Sequence, residues 1–228
     1  MRKHTDLGTL ALAALNTHAT LRPKDLGSDA RLSKRGMTFT TEAYDVEGVG
    51  HLCIMRMKAF AGLMRMETVI LAPAQMDMPL FNIDWVRAFG KETQIAELYD
   101  DQLQPWPDVC QEEIDRIRRQ YDDLPNMAHA DHWYDDILYP CSCAKQGKGI
   151  EDRLAQMAQD YLAAYVAQLG VLPACDHEQK AAAVRSFAEH LYADGGPAVQ
   201  QVAKLFGQQT AQRLVVHHMY GVEDDVEG

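Results

Sequence analysis

From Met66 to Asp84 the sequence runs M-E-T-V-I-L-A-P-A-Q-M-D-M-P-L-F-N-I-D. Of the three carboxylates in this largely apolar stretch, Glu67, Asp77 and Asp84, the first and last are the candidates for chemistry. Asp84 follows Leu80, Phe81 and Ile83 and precedes Trp85 and Val86. An unperturbed aspartate has a pKa of about 3.9, so only ~0.1% carries a proton at neutral pH. Desolvation penalises the charged form and raises that value, which is what a general acid requires. The same aspartate, just after Pro79, also suits a turn in which it accepts from backbone amides. Glu67 is flanked by Met66 and Val69 in mid-strand, where acids are disfavoured. If buried it needs a partner or a chemical role; if it faces water it pairs with Arg65 or a cross-strand base. The residues alone leave both readings open.

Other chemistry is sparse. There is no G-x-G-x-x-G, no H-E-x-x-H, no G-x-S-x-G and no paired C-x-x-C, which argues against a Rossmann cofactor site, a zincin or a serine hydrolase. Cys141-Ser142-Cys143 lacks histidines at ligand spacing, and His129 with His132 reads as a solvated loop pair, so no metal site is expected. His217-His218 falls in a closing helix and reads as half-buried structure. Lys145-Gln146-Gly147-Lys148-Gly149 is basic but lacks phosphate-loop spacing. A redox or acid/base activity must therefore rest on the substrate and on scattered carboxylates.

The elements that position these groups follow from periodicity. Residues 5–22 read as a helix ended by Pro23. His51–Phe60 and Leu63–Leu71 alternate around Ala61-Gly62, and Ile83–Phe89 and Glu92–Tyr99 do so around Gly90-Lys91. This predicts a meander of about four antiparallel strands, with one or two more upstream or downstream. Gln111–Tyr121, Glu151–Leu169, His177–Ala193, Pro197–Phe206 and Gln208–Met219 read as helices, with Asp194-Gly195-Gly196 as a break. Helices on both sides of a bunched set of strands predict an α+β fold, a three-layer α/β/α sandwich whose central antiparallel sheet is flanked by helices.

The chain has 228 residues, 47% of them hydrophobic and 24% charged, which fits one domain. At this length roughly 70–75% of the unfolded surface can be hidden, so no disulfide is needed. A net charge of −11 without a basic cluster argues against nucleic acid and anionic membranes as partners. Five cysteines, an odd number, read as free thiols. No apolar run is long enough to span a bilayer, and residues 1–20 lack a secretory pattern, so a cytoplasmic protein, monomeric, is expected. The run from Glu223 to Glu227 reads as a solvated acidic end.

The segment Pro79-Leu80-Phe81-Asn82-Ile83-Asp84-Trp85-Val86 resembles the central motif of the ferredoxin-dependent bilin reductases, P-L/M-F-G-x-D-[IV]-V, with Asn82 in place of glycine. Gly195-Gly196-Pro197-Ala198-Val199, followed by Phe206-Gly207 and Gln212-Arg213-Leu214, is similar to the family's late run. Trp133-Tyr134-Asp135-Asp136-Ile137 with Cys141-Ser142-Cys143-Ala144-Lys145 is similar to its middle stretch. The resemblance spans roughly residues 44–220 and is specific around Asp84. It implies reduction of biliverdin or a related linear tetrapyrrole by sequential electron and proton transfers, with ferredoxin or flavodoxin as donor and no bound cofactor. It places the family's key acid at Asp84, and its histidine, by ungapped counting, at Glu67; Asp194 stands beside the late loop as a third acid. It puts Lys145 where an arginine holds a substrate propionate, and makes Arg65, Met66, Phe81 and Asn82 candidates for substrate contact. The family's upstream glutamate falls near Met55, and its late Asn-Asp pair is Gly195-Gly196. These departures also admit a bilin or haem carrier without catalysis, or a reductase of chlorophyll-breakdown tetrapyrroles.

Overall fold

In the computed structural model, which describes residues 6–194 and 197–223, eight strands form one antiparallel sheet. The strands are β1 (Leu21–Pro23), β2 (Arg31–Lys34), β3 (Met37–Val46), β4 (Gly50–Ala59), β5 (Met64–Pro73), β6 (Leu80–Ala88), β7 (Lys91–Tyr99) and β8 (Cys143–Gly147). They lie in the order β1-β3-β4-β5-β6-β7-β8, with β2 also paired to β3. The four predicted strands are β4 to β7. Three of the additional strands precede them, and β8 adds to the far edge. The Gly195-Gly196 break and the acidic run beyond Glu223 lie outside the described residues.

Tight turns set the register. β4 and β5 are joined through Phe60, Ala61 and Gly62, all with positive φ, and β6 and β7 through Phe89 (φ 51°) and Gly90 (φ 79°). Two consecutive left-handed residues are the usual two-residue hairpin connection. They pair Asn82 with Glu97 and Asp84 with Ile95. On the other side β5 pairs Thr68 with Asp84 and Ile70 with Asn82.

The helices are α1 (Leu7–Leu15), α2 (Asp108–Arg119), α3 (Glu151–Val166), α4 (His177–Asp194), α5 (Pro197–Phe206) and α6 (Gln208–Gln212), which runs into a π-helical turn over Arg213–Met219. Each face of the sheet carries its own core. The back core gathers α1, α2 and α3 over Ile54, Val69, Phe81, Ile83 and Trp85; the predicted stripe of α3, Leu154, Met157, Ala158, Tyr161, Leu162 and Tyr165, is buried there, as is Trp106. The front core gathers α4, α5 and the π turn over Phe39, Cys53, Met55, Met57, Ile70 and Leu80. This is the α+β architecture with helices on both faces that the sequence predicts.

Helix α1 is shorter than predicted. It ends before Asn16, and Leu21–Pro23 is a strand paired with β3. Pro23 drives the residues before it into extended backbone, and Thr17 hydrogen-bonds back to the Ala14 carbonyl instead of continuing the helix. At the other end Gly8 packs so closely that a Cβ there would meet Arg56 at 2.5 Å and Ile54 at 2.6 Å.

All five cysteines are free thiols. Among the described residues, no helix is long and apolar enough to cross a membrane.

Candidate active site

A cavity of about 740 Å³ lies over the front face of β4 to β8. Its floor carries Met55, Met66, Thr68, Ile70, Asn82, Asp84, Val86, Ile95, Glu97 and Tyr99. These are the alternate residues of four neighbouring strands, brought to one face by the two-residue period of a strand. The 126–144 segment walls one side, and Leu191 of α4 with Met219 and Tyr220 at the end of the π turn wall the other.

Asp84 stands on the floor, opposite Thr68. The Thr68 hydroxyl hydrogen-bonds one carboxyl oxygen, and the Asn82 amide donates to the other at 2.9 Å. The cavity still reaches Asp84, which is half-buried, but the surrounding protein desolvates it. Desolvation raises its pKa, while the bonds from Thr68 and Asn82 pull the other way. Its burial thus favours the neutral form more than water would.

Glu97, one strand over, shares the arrangement. Desolvation raises its pKa to about 7, opposed by the hydroxyl of Tyr99 and helped by the negative fields of Asp84 and Asp135. Tyr99 donates to Glu97 at 2.5 Å, and the Asn82 amide also reaches Glu97, at 3.5 Å. Two carboxyls therefore face one cavity, each with its own hydroxyl donor and one amide between them. The Asn82 Oδ1 is buried without a donor among the described residues.

Aromatic rings back this floor. Tyr99 meets Tyr134 edge-on at 5.5 Å and Phe187 at 4.7 Å, and Phe187 meets Tyr220 at 5.4 Å. Trp133 lies behind Tyr134 and stacks on His190 at 4.0 Å. The π turn that delivers Met219 and Tyr220 is anchored at its root. Asp29 takes Arg213 at 2.9 Å and His218 at 3.2 Å, and the His218 carbonyl takes a ring nitrogen of His51 at 2.8 Å.

The structure brings Asp84, Met66 and Asn82 of the expected residues together and moves others elsewhere. Glu67 is one residue out of phase with the floor. It pairs with Trp85 and lies on the back face. There it is buried, accepting from the Leu7 amide at 2.9 Å and the Gly8 amide at 3.2 Å and pairing with Arg56 at 2.9 Å. It is a carboxylate at the positive end of α1, and it is Thr68 that stands opposite Asp84. Replacing Glu67 with Ala is expected to lower stability by about 2–3 kcal/mol, discounted for the partly exposed Arg56. Urea unfolding checks this, with ligand binding to the folded variant unchanged.

Phe81 shares that displacement. It stacks on Tyr165 at 4.6 Å in the back core. Arg65 is exposed on the strand face of Glu67, away from the cavity floor. Lys145 borders the cavity, but its buried ammonium donates to Asn126 Oδ1 at 2.7 Å and the Leu124 carbonyl at 3.3 Å, so it pins the start of the 126–144 wall and is no open anion anchor. Asp194 is exposed at the end of α4 and does not line the cavity; its charge helps to raise the pKa of Tyr134. Met55 does stand on the floor, paired with Thr68, so an apolar side chain occupies that position. His129 Nε2 lies 3.4 Å from Asp131 and 3.3 Å from Asp135 at the rim, His129 and Asp131 on a loop and Asp135 at the start of a 3-10 turn.

Sequence reading missed Glu97, Tyr99, Thr68 and Tyr220. For Glu97 and Tyr99 the signal was present, because a turn at Gly90 sets β7 against β6 with Glu97 on the face of Asp84.

No protein-family model matches the chain, and no curated protein matches it in sequence. Among solved structures it is similar to phytochromobilin synthase from tomato in complex with biliverdin, at a TM-score of 0.75 and 15% sequence identity, over 96% of this chain and 84% of that one. In fold, then, this chain is similar to a phytochromobilin synthase.

Proposed function

We propose that this protein is an oxidoreductase that reduces an open-chain tetrapyrrole of the biliverdin type, with electrons from a ferredoxin-class donor and protons from the cavity floor. The observation that carries the reading is Asp84: a carboxyl with a raised pKa on the floor of a cavity of small-molecule size, within a fold similar to that of a protein solved with biliverdin. Such a pigment is its own electron acceptor. In a dry site each added electron leaves a charge that is costly until a proton neutralises it. A protein serving it needs positioned neutral acids and an apolar bed, and Met55, Met66, Ile70, Val86 and Ile95 supply the bed. The adaptable methionine side chains suit a large flat ligand.

The pigment's own carboxylates find few cations. Arg118 and Lys145 are the lysine and arginine side chains among the described cavity residues. Arg118 is engaged by Asp115 at 2.7 Å and Asp122 at 2.9 Å, and Lys145 by its loop. This favours a pose in which those carboxylates point to the open side and water.

The test is anaerobic incubation with biliverdin, reduced ferredoxin and a reductase to recycle it, with the products separated by chromatography. A shifted visible spectrum on mixing, followed by consumption of biliverdin only when ferredoxin is present, supports the reading. Turnover with NADPH alone contradicts the electron source. Tight stoichiometric binding with no reduction selects a carrier on the same fold.

A further inference from the structure

We infer that Glu97 is a second proton-delivering carboxyl of this cavity, acting after Asp84, with Asn82 holding the two in one unit and Tyr99 regulating when Glu97 gives up its proton. This rests on the reading above that the ligand is an electron-accepting tetrapyrrole. The geometry supports it in three ways. Glu97 and Asp84 lie on adjacent strands of the cavity floor, on the same face. The amide of Asn82, which stands where the resemblance expects glycine, donates to both, at 2.9 Å and 3.5 Å. The buried Asn82 Oδ1 lacks a donor among the described residues, and a carboxyl that carries its proton provides one when the amide turns over. Asp194, the other candidate for a further acid, is exposed and outside the lining.

Two acids of this kind release protons in order. Each carboxylate raises the pKa of its neighbour, so the pair titrates in separated steps. The groups acting on Glu97 are Asp84 of β6, Tyr99 of its own strand, Asn82, and Asp135 of the facing wall. The cavity is also lined by Arg118, Asp122, His129, His132, Tyr134, Lys145 and Tyr220. Once Asp84 has become a carboxylate, its field holds the proton on Glu97 until a second electron makes the pigment basic again. The first electron reduces the pigment to a radical anion, and Asp84 breaks its O–H bond as hydrogen bonds to the pigment. The second electron reduces the resulting neutral radical, and Glu97 does the same. The sum is pigment plus two electrons plus two protons, giving the dihydro product. Two molecules of a one-electron ferredoxin-class donor are each oxidised once, and both carboxylates regain protons from water at the open side.

The experiment is single-turnover reduction of bound biliverdin, followed by electron paramagnetic resonance and visible absorption between pH 6 and 9. In wild type the second protonation slows as pH rises through about 7. In Glu97→Gln the first protonation is expected to keep its rate, while the neutral radical decays about 100-fold more slowly and loses that pH dependence. In Tyr99→Phe the hydroxyl that stabilises the carboxylate is gone, so the fall in rate moves to higher pH. Wild-type radical decay in Glu97→Gln, or a profile of Tyr99→Phe that overlays wild type, overturns the proposal. Wild-type protein that reduces no bilin at all instead defeats the reading on which it rests.

A structural readout is independent of turnover. A raised folded-state pKa means that the folded protein binds the extra proton, so stability falls as pH rises from the ordinary glutamate value of 4.5 towards 7. Buried His51, lowered to about 4, loses stability in the opposite sense as pH falls below 6.5. The difference in melting temperature between wild type and Glu97→Gln cancels the His51 contribution. It should favour Glu97→Gln increasingly from pH 5 to pH 8, and a constant difference overturns the assignment.

Discussion

Asp84→Asn is expected to bind biliverdin and to reduce it about 10²–10⁴-fold more slowly, the usual span for loss of a positioned acid. Asparagine keeps the shape of the side chain and an oxygen for Thr68 to donate to, so the floor of the cavity is preserved. What disappears is the transferable proton. The first electron then leaves a pigment radical anion without the acid that protonates it in the first step, and with only Glu97, placed for the second, to replace it, this species should accumulate under single-turnover conditions. The block comes one step earlier than in Glu97→Gln, before any proton has moved, so the two radicals differ in protonation and in spectrum. The substitution also removes a desolvated acid, and the melting temperature above neutral pH should stay level or rise. Chromatography of the products with paramagnetic resonance of the quenched mixture checks the prediction. Wild-type turnover in Asp84→Asn removes Asp84 from the reaction.

The largest expected effect on stability lies at Lys180. This α4 lysine is fully buried, and its ammonium meets Asp101 Oδ1 at 2.8 Å and the Asp101 carbonyl at 2.9 Å. The same Asp101 oxygen accepts from the Leu80 amide at 2.9 Å, so one carboxylate ties α4 to the start of β6. Desolvation pushes the Asp101 carboxyl up against the pull of Lys180, and its other oxygen is buried without a donor among the described residues. Lys180→Met removes the cation and leaves that carboxyl stranded, which costs about 3–5 kcal/mol. In a chain of this length the melting temperature should drop by roughly 6–20 °C. Adding Asp101→Asn to Lys180→Met removes the stranded charge and should restore part of the loss. A double variant as unstable as the sum of the two single variants contradicts a coupled pair. Because Leu80 begins the strand that carries Asp84, bilin affinity should fall with Lys180→Met while Asp84 itself is untouched.

The reach of the sequence can be traced strand by strand. The hairpins β4–β5 and β6–β7 close on Gly62 and Gly90, and a short turn makes register calculable from the residues alone. That is why the meander was legible, and why Glu97 could have been placed beside Asp84. The connection from β5 to β6 is a longer loop through Ala74–Pro79, which fixes no parity. Ungapped counting across it selected Glu67, and a slip of one residue moves a side chain to the opposite face. Phe81 and Arg65 went astray by the same alternation, since apolar or basic character says nothing about which of two packed faces receives a residue. Strands β1 and β2 are only three and four residues long. The predicted helix overran β1 because Ala19 and Leu21 continue an apolar rhythm that Pro23 overrides. Lys145 was singled out by the resemblance alone, and its partners Leu124 and Asn126 come from a loop with no periodic signal. The π turn, and with it Tyr220, depends on Asp29 and His51, both more than 160 residues away in sequence.

The three tryptophans report on different parts of the molecule. Trp85 and Trp106 belong to the back core, behind the sheet, whereas Trp133 lies on the cavity side, 5.6 Å from Tyr134. Resonance energy transfer to an absorbing guest weakens steeply with distance. Trp85 adjoins the floor residue Asp84, so a pigment entering the cavity lies near indoles on both faces of the sheet and darkens their emission, and occupancy can be read from native fluorescence without any attached dye.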